Sequence, residues 1–212
     1  MKTEILRADD PAALQRALEL LQRGEVVAIP TDTVYGIAAD GFNAEAVEKL
    51  FVAKERPSHK AIMLLLGEYA DLEKVASSAS PTAQKLARDF WAGGLTLVVH
   101  ARNELPANLR ADTNTIGARL PDSELVRNLV RALGRPIAAT SANRSGGANP
   151  RTAQDVLHDL DGRIALILDG GATAGNVAST VLDCTIDPPR VLRAGAITIT
   201  EIEEVLGFTL AT

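Results

Sequence analysis

Cysteine is almost missing from this chain. Cys184 stands alone in 212 residues, so neither an internal disulfide nor a multi-cysteine metal site can form, and a reducing compartment is expected. Aromatic residues make up only 3%, so the core must be built from Ala, Val, Leu and Ile. A basic excess is missing too. Lys and Arg number 22 against 27 Asp and Glu, a net charge of −5, which argues against a general polyanion grip but leaves room for a local basic pocket. No apolar stretch approaches the length that spans a bilayer. The opening MKTEILRADDPAALQ has the features of neither a signal peptide nor a transit peptide. A cytoplasmic protein without membrane contact is expected, folded as one domain over residues 1–212.

Several catalytic signatures are lacking as well. There is no GxxxxGK[ST] loop, no GxGxxG after a strand and no GxSxG elbow. His59, His100 and His158 show no metal-ligand spacing, so no protein-held metal site is expected. Cys184 reads as a small core residue.

Helix signals are present. Asp10-Pro11 starts an apolar 3.6-residue pattern that Gly24 closes; Asn43, Ser80, Asp122 and Thr152 open others, and Thr200 with Glu203 fits a capping box. Between them lie short runs rich in Val, Ile and Leu: 25–29, 62–66, 95–100, 115–120, 136–139, 163–168, 180–183 and 190–192. Buried strands alternating with helices predict an α/β fold, and strands that follow one another after Asp169 predict a mixed sheet.

Three stretches carry candidate chemistry. In IPTDTVYGIAAD (residues 29–40) an apolar run ends in small hydroxyls, Thr31 and Thr33 around an aspartate. AKERPSHK (53–60) carries Lys54, Arg56 and Lys60; these fit a solvated helix end, where cations favour the negative pole, or an anion clamp. ATSANRSGGANP (139–150) gathers hydroxyls, amides and glycines after a short apolar run. Such residues make ordinary turns, but loops at strand ends are also where open α/β sheets hold ligands. Arg119 and Arg193 each stand in or at the end of a strand-like run, where a surface position or a ligand contact is open to them, and Ser179 begins another such run.

Together the blocks PTDTVYGIAAD, KERP, GGLTLVV, IGARLP, TSANRSG, STVLD and VLRAGAI, in that order over residues 30–197, resemble the YrdC-type L-threonylcarbamoyladenylate synthases. Each block is weak alone; seven in order are specific. The resemblance implies an α/β fold with an open twisted mixed sheet and flanking helices around a large concave cavity, in the short form with one catalytic domain. It implies a nucleotidyltransferase that makes threonylcarbamoyl-AMP and pyrophosphate from L-threonine, bicarbonate or CO2, and ATP with Mg²⁺. Downstream proteins would transfer the threonylcarbamoyl group to adenosine 37 of tRNAs that read codons beginning with A, and there is room for a weak contact with tRNA itself.

The resemblance also assigns roles. Lys54 and Arg56 match the basic pair expected on the triphosphate and on catalysis. Thr33, Leu65, Arg119, Ala139 and Ser179 match threonine positions, with Arg119 on the carboxylate. Lys60, Thr115, Ser141, Asn149 and Arg193 match further ATP contacts. The chain departs from the family pattern at Lys60-Ala61, where many members have Asn-Pro, at Leu65, often a polar residue, and at Asn149, usually Ser. Two other classes compete: an RNA-binding module, and a domain forming a carbamoyl adenylate from carbamoyl phosphate. The acidic balance and scarce aromatics count against the first.

Overall fold

The computed structural model describes residues 2–111, 113–175 and 177–211. Eleven strands form one sheet: β1 (Glu4–Arg7), β2 (Val27–Ile29), β3 (Gly36–Asp40), β4 (Met63–Leu65), β5 (Ala76–Ser78), β6 (Leu95–Ala101), β7 (Thr115–Arg119), β8 (Ile137–Ser141), β9 (Leu166–Asp169), β10 (Thr180–Asp183) and β11 (Arg190–Arg193). Among the described residues seven α-helices accompany them: α1 (Pro11–Gln22), α2 (Ala44–Lys54), α3 (Leu72–Val75), α4 (Pro81–Phe90), α5 (Glu124–Leu133), α6 (Ala153–Leu160) and α7 (Ile199–Leu206). The strand order is β1-β9-β2-β3-β8-β4-β7-β6-β10-β11, with β5 on the side of β6. Parallel pairs (β1 with β9, β4 with β7, β6 with β10) mix with antiparallel ones (β2 with β3, β3 with β8, β6 with β7), so the sheet is mixed as expected.

The helices begin where their caps dictate. The Asp10 carboxylate accepts from Ala12 N at 2.9 Å with Pro11 at the first position, and Asn43 accepts from Glu45 N and Ala46 N. Gly134 ends α5 in the left-handed region. The cap of α5 is Ser123, one residue after the expected Asp122. The last helix also differs from expectation: its capping box is Thr198 with Glu201, not Thr200 with Glu203. Both pairs fit the pattern, but Glu203 accepts from Leu210 N at 2.9 Å while Ile202 is buried, and those contacts fix the register.

Strands β1, β3 and β5 lack a signal in the sequence. All five residues of β3 are buried, so it shows no alternation, and a glycine opens it.

Period-2 alternation sends side chains to two faces. On one face Ala28, Ile37, Leu64, Leu97, Ala118 and Leu182 pack under Val47, Leu50, Leu86, Val156 and Ile202 of α2, α4, α6 and α7. On the other, Val27, Ile29, Leu65, Ile137 and Leu166 pack under Ala17, Leu21, Val126 and Leu129 of α1 and α5. These two helices cover the half of the sheet around β9, β2, β3 and β8. Among the described residues no helix continues that layer beyond β4, and the concavity lies there. Among the described residues, no helix is long and apolar enough to cross a membrane.

The capping register makes a simple expectation. Thr198→Ala should cost about 1 kcal/mol by denaturant unfolding, while Thr200→Ala stays within about 0.5 kcal/mol. The opposite order would contradict the observed helix start.

Candidate active site

A cavity of about 270 Å³ opens where the second helix layer stops. Its floor comes from alternate residues of neighbouring strands: Met63 of β4, Gly117 and Arg119 of β7, Thr96 and Val98 of β6, Ala139 and Ser141 of β8. Gly117 lies in the middle of that floor. A Cβ there would lie 3.2 Å from both Met63 Cβ and Thr96 Cγ2, so any side chain would push apart the residues that flank it.

The threonine-rich loop after β2 is held by Arg119. This guanidinium is 2% exposed. Its Nε donates to Gly93 O at 2.8 Å, one terminal nitrogen donates to Thr33 Oγ1 at 3.0 Å, and the other to Asp32 Oδ2 at 2.5 Å. Thr31 completes the loop: its Oγ1 accepts from Thr33 N at 3.1 Å and donates to Val34 O at 2.7 Å. Asp32 Oδ1 is buried without a hydrogen-bond partner among the described residues. Burial lowers the Arg119 pKa, and Asp32 opposes the shift.

Arg193 organises the opposite wall. Its Nε and a terminal nitrogen donate to Ser179 O at 3.1 and 2.7 Å, and the terminal nitrogen also reaches Ser179 Oγ at 3.1 Å. Gly195 makes this close approach possible, because a Cβ there would sit 2.3 Å from Ala178 O. Burial lowers the Arg193 pKa, with Arg119 adding to the effect; burial and then Arg193 do the same to Arg56. Arg193 therefore feels Arg119, and Arg56 feels Arg193, across the cavity.

The basic stretch divides into two different environments. Arg56 lines the cavity, and its fork donates to Lys60 O at 3.1 Å and Ala61 O at 2.8 Å. Lys54 is not the solvated helix-end cation that its position suggests: it is 1% exposed. Its Nζ donates to Ser141 O, Asn143 O and Asn143 Oδ1, and so ties the end of α2 to the loop after β8. Glu55 reinforces the tie through ion pairs with Arg144 and Arg163. Burial, and then the neighbouring Arg56, lower the Lys54 ammonium to about 7.

The structure thus brings together Thr33, Arg56, Arg119, Ala139, Ser141, Ser179 and Arg193. Lys54 lies behind the wall and holds it. Leu65 is in the core under Val126 and Leu129 of α5, not at the cavity; Met63, two residues earlier on the same side of β4, takes the exposed place. Lys60 is exposed on the loop that Arg56 closes. Thr115 sits at the outer end of β7, paired with Thr113 Oγ1 at 2.9 Å, and Asn149 is exposed beyond the wall. Asp32 and Asn143 lie within the threonine-rich and 139–150 stretches but carry no individual role in the sequence pattern, and Thr96 lies outside the candidate stretches. The signal for Thr96 was available: a hydroxyl interrupting the apolar LTLVV. Among the described residues no carboxylate lines the cavity, and no group of three His, Cys, Asp or Glu could hold a metal ion.

A family model for Sua5, YciO and YrdC proteins, described as "Telomere recombination", matches residues 19–195. The chain is 44% identical over 206 residues to a Bacillus subtilis protein named threonylcarbamoyl-AMP synthase, covering 97% of this chain and 59% of that protein. A Pyrococcus abyssi protein of the same name is 39% identical over 191 residues, covering 90% of this chain and 56% of that one. The crystal structure of P. abyssi Sua5 complexed with L-threonine aligns with a TM-score of 0.92 at 36% identity, over 99% of this chain and 61% of that one. The chain therefore spans less than two thirds of the length of these relatives.

Lys54 yields a prediction for stability. Its folded pKa of about 7 lies below the 10.5 of the free side chain. Between those values the unfolded chain binds the proton that the folded chain has released, so stability from this group rises with pH from about 7 towards 10.5; below about 7 the cost of burying the charge is fully present. Lys54→Met removes this dependence. It also leaves the carbonyl oxygens unpartnered, a loss of about 1–3 kcal/mol. Unfolding of both proteins across pH 6–9 measures it, and a stability difference that is zero, or constant with pH, would contradict it.

Proposed function

The chain belongs to the Sua5/YciO/YrdC family, and from that premise we propose that it makes threonylcarbamoyl-AMP and pyrophosphate from L-threonine, bicarbonate or CO2, and ATP. As a nucleotidyltransferase it would serve the threonylcarbamoylation of adenosine 37 in tRNAs that read codons beginning with A, handing its product to transfer proteins. The observation that carries the proposal is the convergence of Arg56, Arg119 and Arg193 on one cavity whose walls, among the described residues, hold no carboxylate. Such a site suits two anions held side by side, a carboxylate and a polyphosphate. Consumption of ATP and a lone buried cysteine suit a cytoplasmic setting.

The chemistry needs no side-chain nucleophile. The threonine amine adds to CO2, forming the N–C bond and releasing a proton. A carbamate oxygen then attacks the α-phosphorus, the Pα–O bond to the β-phosphate breaks, and pyrophosphate leaves with the electron pair. What the protein must supply is alignment and a preorganised positive field. Arg119 can meet the carboxylate with the part of its fork not used by Gly93, Thr33 and Asp32. Arg56 and Arg193 face the other side, for the triphosphate. Lys54 acts through Ser141 and Asn143 rather than by direct contact. Mg²⁺ bound to ATP would neutralise part of the phosphate charge. The walls offer cations and hydroxyls, which fits an ion held on phosphate oxygens.

Purified protein with ATP, bicarbonate and L-threonine should release pyrophosphate only when all three are present. Arg56→Ala should lower turnover about a hundredfold, the scale of one preorganised electrostatic contact, with little change in melting temperature. Equal pyrophosphate release without threonine would sink the proposal.

A further inference from the structure

One hydroxyl in the cavity floor has no part in the chemistry above. Thr96 is 1% exposed and lines the cavity. It stands in β6 one step from the Leu97–Ala118 pair, and so opposite Arg119. Its Oγ1 lies 2.8 Å from Ser179 Oγ and donates towards Met63 Sδ at 3.4 Å. Arg193 donates to the same Ser179 Oγ at 3.1 Å.

These contacts allow one continuous run of donors, although either hydroxyl of the Thr96–Ser179 pair can donate. A guanidinium only donates, so Ser179 Oγ accepts from Arg193 and keeps its own proton to give. With Thr96 pointing towards Met63, the Ser179 proton goes to Thr96 Oγ1, and the chain runs from Arg193 through Ser179 and Thr96 to a thioether. A thioether is a weak acceptor. A buried donor chain that ends on a weak acceptor beside a cavity is completed when a better oxygen arrives. Gly117 puts no side chain against Met63 and Thr96 on the cavity floor.

We propose that Thr96 is a positioning and specificity residue for the amino-acid substrate. With Ser179 it forms a hydroxyl pair that offers its last proton to the substrate's side-chain oxygen. This rests on the synthase function proposed above. A site built around a hydroxyl discriminates against an isostere lacking it, because its own buried donor is then left unpaired.

The test compares Thr96→Val and Thr96→Ala, which delete the hydroxyl in two ways, with Thr96→Ser, which keeps it. Melting curves establish that each variant folds. The hydroxyl deletions should raise the threonine KM about tenfold, the scale of one lost hydrogen bond, with the ATP KM within about twofold. The preference of the enzyme for threonine over valine should narrow by a similar factor, and Thr96→Ser should restore it. An unchanged threonine KM in both deletion variants would overturn the proposal. So would parallel losses towards threonine, valine and ATP, which would mark a packing role. Wild-type turnover that ignores threonine would remove the synthase function and this proposal together; threonine-dependent wild type with unaffected deletion variants would remove this proposal alone.

Discussion

The buried guanidinium of Arg119 is the contact on which the site depends. Taking such a charge out of water costs several kcal/mol, and the surroundings offset that cost with the Asp32 carboxylate, the Thr33 hydroxyl and the Gly93 carbonyl. A buried ion pair is weak grounds for stability but strong grounds for orientation. Here one side chain on β7 fixes the loop after β2 and the turn before β6, so three separate stretches of chain meet at one point. Without Arg119, the mostly buried Asp32 carboxylate would lose its ion-pair partner.

The remaining cations extend that arrangement. Arg193 braces Ser179, and Arg56 closes its own loop at the rim. Burial disfavours all three guanidiniums, and Arg193 and Arg56 are each disfavoured further by a neighbouring guanidinium, so the cavity holds positive potential that a bound polyanion relieves. Potential fixed in place before the substrate arrives is most useful where charge moves during the reaction. Lys54 contributes differently, as a buried strut between α2 and the Ser141–Asn143 segment.

Much of the fold was legible because helix caps are local. Asp10, Asn43, Ser80 and Thr152 each cap where the pattern places them. Thr198 and Thr200 show the limit: two boxes fit, and only the tertiary burial of Ile202 separates them. Strand β3 was hidden because its GIAAD, between a glycine and an aspartate, has neither alternation nor a run of Val, Ile and Leu. In the site, residues at the ends of strands were legible from their blocks; side-chain direction was not. Lys54 looks like a solvated helix end in sequence because the carbonyls that bury it come from residues 141 and 143. Leu65 and Met63 share one side of β4, and only the course of α5 decides which of them is covered.

The account rests on a division of labour among the arginines, and a crystal structure with L-threonine and a non-hydrolysable ATP analogue tests it most directly. The threonine carboxylate should lie on Arg119 with the triphosphate between Arg56 and Arg193, and Lys54 should still be bonded to Ser141 and Asn143 behind the wall. A triphosphate seated on Arg119, or threonine bound away from it, would contradict the account.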